Sequence, residues 1–122
     1  MADTHLDLEV LSALREVMED EYPMLLDTFL ADSEVRLKLL RESADTAQLM
    51  DTAHSFKGSS SNMGAIRLAA LCHDLERGAR RHSLADIKKL VEEIDREYAT
   101  VRPLYEAERK RFLTANSRLQ RY

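Results

Sequence analysis

A single cysteine means that no internal disulfide can staple this chain. Only three glycines occur, and Gly58, Gly64 and Gly78 stand apart, so there is no glycine-rich loop to cradle a nucleotide phosphate. Phosphorylation from ATP by the chain itself is therefore not expected. Two prolines leave few forced breaks in helices, and tryptophan is absent. The longest apolar runs are a few residues, well short of the roughly 20 that a membrane-spanning helix needs. The opening stretch, MADTHLDLEV, is acidic and lacks the apolar core of a signal peptide. No segment alternates with period two, so no strand is expected. What remains is a helix-rich, cytoplasmic chain of 122 residues, read as one domain over 1–122.

Charge is plentiful and unevenly placed. Acidic residues exceed basic ones, 22 to 18. Met1–Ala53 holds 13 acidic and 4 basic residues, whereas His54–Tyr122 holds 9 acidic and 14 basic. Such asymmetry suits either differently charged outer faces or a surface that selects partners by charge. Nucleic-acid binding is disfavoured, because the overall charge is negative and acids are scattered among the arginines.

Apolar spacing places five helices. Asp7 is a candidate N-cap, with Leu6 and Leu11 placed for a hydrophobic staple and Val10, Leu11, Leu14, Val17 and Met18 on one face. Pro23, behind the acids Glu19, Asp20 and Glu21, suits the first turn of a second helix ending near Ser43. Asp45 with Gln48 reads as a capping box for a third helix that fades near Asn62. Leu68, Cys72, Leu75 and Ala79 give the core row of a fourth. Ser83 with Asp86 caps a fifth, whose row runs Ile87, Val91, Ile94, Tyr98, Val101, Tyr105 and Phe112, with a kink expected at Pro103. Long amphipathic helices with short connections predict an all-α, antiparallel four-helix bundle over about 22–115, capped by a short N-terminal helix.

The stretch Ala53–Glu76, AHSFKGSSSNMGAIRLAALCHDLE, carries the chemistry. Helical spacing buries Phe56 and displays His54 beside Lys57 and Gly58, with Met50 and Ser61 on the same stripe. A core helix has no use for an interior glycine, which costs about 1 kcal/mol against alanine. A displayed imidazole, an adjacent cation and a gap for close approach suit a phosphoryl acceptor. A solvated histidine beside an accidental glycine is the blander alternative.

His54-Ser55-Phe56-Lys57-Gly58-Ser59-Ser60, followed by Gly64, Leu68, Cys72, Leu75 and Glu76, resembles the signature of histidine-containing phosphotransfer (HPt) domains, in particular the stand-alone bacterial, Pseudomonas-type members. The resemblance covers about a fifth of the chain. It implies a relay intermediate that is not a kinase. It would take a phosphoryl group from a receiver-domain aspartate of a hybrid sensor kinase onto His54 and pass it to a response regulator. Lys57 would neutralise phosphoryl charge, and Gly58 would admit the partner. Mg²⁺ would sit on the receiver, so the chain needs no cofactor or metal site. Glu76 occupies the position of a residue that orients the imidazole. Asp51, three residues before His54, is a second candidate, and a surface ion pair with Arg80 is the alternative for Glu76. Ser59 could donate to a phosphoryl group, whereas Ser60 reads as a small spacer between helices. Met50 and Ser61 are receiver-binding candidates, with Met50 expected to be substantially exposed. The chain reads as a monomer with no nucleic-acid or membrane partner. A non-phosphorylated helical adaptor is the competing reading, and a helical metalloprotein a third.

Overall fold

The computed structural model describes residues 5–119. It contains five α-helices: α1 (Leu8–Met18), α2 (Tyr22–Glu42), α3 (Thr46–Asn62), α4 (Ile66–Gly78) and α5 (Leu84–Leu119), with a single 3-10 turn over Glu19–Glu21. No strand occurs among the described residues. Helices α2 to α5 form the four-helix bundle, and α1 packs across one end of it.

The boundaries follow from local chemistry. The Asp7 carboxylate accepts from the backbone N–H groups of Glu9 and Val10, filling orphan donors of α1. Leu6 and Leu11 are both buried, as a staple requires. Pro23 sits in the first turn of α2, where its missing N–H costs nothing. The Ser83 hydroxyl accepts from Asp86 N–H at the start of α5. The capping box expected at α3 forms only in part. Asp45 accepts from Ala47 N–H, but the Gln48 side chain turns to the Ser43 hydroxyl instead of reaching back. Ser43 takes both roles: its hydroxyl accepts from the Asp45 N–H at 3.3 Å and donates to Gln48 Oε1 at 2.8 Å. Helix α5 continues through Pro103, which is solvent-exposed.

The α3–α4 connection ties the N-terminal segment to the bundle. Gly64 takes φ +74°, a left-handed conformation that favours glycine. Its carbonyl accepts from Asp7 N–H, and the Ile66 N–H donates to His5 C=O. A Cβ at Gly64 would stand 3.0 Å from the Asp7 carbonyl oxygen, so space and dihedral both select glycine.

The core runs the length of the bundle through Leu26, Leu37, Phe56, Leu68, Leu75, Ile94, Val101 and Tyr105. Phe29 meets Tyr105 edge-on at 5.1 Å, and Tyr22 meets Phe112 at 5.3 Å. Polar groups are drawn in only with partners. Tyr105 donates to Met63 C=O at 2.6 Å, and Tyr22 to Glu108, which also holds Arg15 and Arg111. Ser33 and Ser60 are the exceptions. Both are fully buried, and their hydroxyls meet no partner among the described residues. This fits small side chains kept so that helices can approach. His5, part-exposed, holds buried Glu97 at 2.7 Å together with Arg67. A contact spanning 92 positions leaves no trace in local spacing.

Candidate functional site

Helix α3 exposes one edge and buries the other. Leu49, Thr52, Ala53, Phe56 and Ser60 face the core. His54, a third of a turn from Ala53, projects outward with its side chain 70% exposed. The neighbouring helix α4 brings Glu76 to it. One Glu76 oxygen lies 2.7 Å from His54 Nδ1, and the other 2.6 Å from Lys57 Nζ. The carboxylate thus bridges both residues across the α3–α4 seam.

The ion pair with Lys57 holds the Glu76 carboxyl below its usual range; partial desolvation opposes this, and the His54 contact adds to the lowering. An ionised carboxylate can only accept, so Nδ1 carries the hydrogen, and in the neutral ring the lone pair is then on Nε2. Nε2 has no partner among the described residues.

The other sequence candidates differ in exposure and in partners. Gly58 is exposed, and a Cβ built there would meet nothing within 4 Å, so the chain itself gives no packing reason for glycine. Ser61 is also exposed on this edge. Met50 is half-buried, so it is displayed less than expected. Helix α1 is not its cover: Asp7, the α1 cap, binds Gly64, fourteen residues further along the chain, just past the opposite end of α3. Ser59 is half-buried and turned inward, donating to Phe56 C=O at 3.2 Å and accepting from Arg36 at 3.4 Å. Asp51 is exposed on α3, while the carboxylate at Nδ1 belongs to Glu76. Nor is Arg80 the Glu76 partner: Lys57 and His54 occupy both oxygens.

Two features escaped sequence reading. Lys57 is engaged by Glu76 and does not stand free beside the imidazole. Arg36 reaches α3 from α2. Both depend on which helices become neighbours. Among the described residues, no group of three or more His, Cys, Asp or Glu side chains is placed to hold a metal ion. No described helix is long and apolar enough to cross a membrane.

The Hpt domain family model matches residues 24–103, from the first turn of α2 to Pro103 in α5. The chain is similar to the crystal structure of histidine-containing phosphotransfer protein B from Pseudomonas aeruginosa, with 53% identity and a TM-score of 0.85, over 90% of this chain and 98% of that one. No curated protein sequence matches the chain. A family match over most of the bundle, together with a solved relative of this identity and coverage, places the chain in the Hpt domain family.

Proposed function

We propose that the protein is a phosphorelay intermediate in which His54 accepts a phosphoryl group from a receiver-domain aspartate and returns it to another receiver. The observation that carries this is the 2.7 Å contact between Glu76 and His54 Nδ1 on an exposed imidazole. The Nε2 lone pair attacks phosphorus, the P–O bond to aspartate breaks, and aspartate leaves as a carboxylate. The ring gains positive charge while keeping its Nδ1–H, and Glu76 offsets that charge. Such transfer has a loose transition state governed by positioning and charge, so a small constellation suffices.

Gly58 leaves room for the receiver to close over His54, and Ser61 and Met50 flank the approach. Ser59 serves the α2–α3 seam. Mg²⁺ belongs to the receiver, and the protein works as a cytoplasmic monomer without ATP-dependent kinase activity. A hybrid sensor kinase is the donor, and a response regulator the recipient.

His54→Gln should abolish acid-labile labelling by phosphorylated receivers and change stability by no more than about 0.5 kcal/mol, as befits an exposed side chain. Full labelling of a folded variant would refute the assignment.

A further inference from the structure

Lys57, the cation nearest His54, is occupied by Glu76. The attraction that brings an acidic partner to this edge must therefore come from elsewhere. Arg77 follows Glu76 in the last turn of α4, Arg80 stands two residues past its end, and both are exposed. Ala79 keeps helical dihedrals (φ −56°, ψ −32°), so Arg80 continues the Glu76 row one turn on, about 6 Å along the axis. Neither arginine forms an ion pair among the described residues. Arg36, Arg81 and Arg96 likewise form none, whereas Arg15, Arg41, Arg67, Arg102, Arg109 and Arg111 do; Arg77 and Arg80 are set apart by following Glu76. Arg81 adds a third cation, and over Arg77–Lys89 five basic residues face one acid, Asp86. This stretch carries an excess of positive charge, with Asp74 bordering the same recess as Arg77 and Arg81 but forming an ion pair with neither.

We infer that Arg77 and Arg80 form the electrostatic docking surface for the receiver, steering its acidic active-site face onto the α3–α4 edge that carries His54. The inference rests on the proposed function. The partner's chemistry follows from the reaction: a Mg²⁺ site is built from carboxylates, and an aspartyl phosphate adds further negative charge. An acidic cleft meeting an unpaired cationic rim gains mainly in association rate, and loses that gain as salt rises. The α4 side of His54 is then the side over which the receiver lies.

The test uses the full chain and the host receiver domain that labels it fastest. R77E/R80E is compared with R77Q/R80Q, and with K38E/K110E, which makes the same charge change at exposed residues of α2 and α5. At low salt, R77E/R80E should lower kcat/KM for labelling at least tenfold. R77Q/R80Q should fall between it and the parent, K38E/K110E should stay within about twofold, and the salt dependence of the arginine variants should flatten. Labelling of His54 by phosphoramidate, which needs no docking, should be unchanged and also shows that the site is intact. Equal losses in R77E/R80E and K38E/K110E, or an unchanged salt slope, would overturn the inference while leaving the relay function standing. Failure of every receiver to label the parent chain would overturn both.

Discussion

Glu76 shows how much one side chain can set. Its carboxylate fixes the His54 tautomer and holds Lys57 at once. Glu76→Gln keeps an acceptor for Nδ1–H but loses the charge that offsets the phosphorylated ring, so labelling should slow; Glu76→Ala should slow it further. Rates with a receiver and a ¹⁵N spectrum of the imidazole tautomer together check this. Because the Glu76 carboxyl is held below its ordinary 4.5, the bridge contributes stability above about that pH and loses it as pH falls through the lower folded value. Cys72 is the opposite kind of residue. It is fully buried, and burial pushes its thiol up to about 12. It should resist alkylation at pH 8 in the folded protein and react only on unfolding, which mass spectrometry after an iodoacetamide pulse reads directly.

At the scale of elements, α3 carries a deliberate weakness. Gly58 lies inside the helix with open space around its missing Cβ. Gly58→Ala should stabilise the free protein by up to about 1 kcal/mol, seen as a melting temperature a few degrees higher. Gly58→Gln should leave the fold intact and weaken receiver binding, measured by titration. Those two outcomes together would mark Gly58 as a glycine kept for the partner. The α3–α5 tie runs the other way. Tyr105→Phe removes the donor to Met63 C=O and leaves that buried carbonyl unpaired, for a cost of about 1–3 kcal/mol in denaturant unfolding.

For the whole molecule, three buried tyrosines set the alkaline limit. Desolvation raises Tyr22, Tyr98 and Tyr105, and hydrogen bonds to Glu108 and Glu34 raise the first two further. A raised acid of this kind leaves stability intact below the ordinary value of 10. Above it the unfolded chain releases its protons first, so stability declines. Absorbance at 295 nm should show these three ionising together with the loss of helical circular dichroism, not before it. Titration of all three in a fully helical protein would contradict the packing around them.

Helix positions, the exposed edge of α3 and the His54–Lys57–Gly58 patch were legible in the sequence because each follows from short-range spacing. A period near 3.6 separates Phe56 from His54, and Asp7, Pro23 and Ser83 mark helix starts through bonds made within a turn. The competition for Glu76 was not legible. Arg80 and Asp51 were as near in sequence to their candidate partners as any ion pair requires, yet Lys57 and His54, 19 and 22 positions from Glu76, took both oxygens. The same holds for Arg36 with Ser59 and His5 with Glu97. Local periodicity says which face of a helix turns inward. Only the packing of α3 against α4, and of the N-terminal segment against α5, decides which side chains meet across a seam, because those contacts depend on the relative register of whole helices.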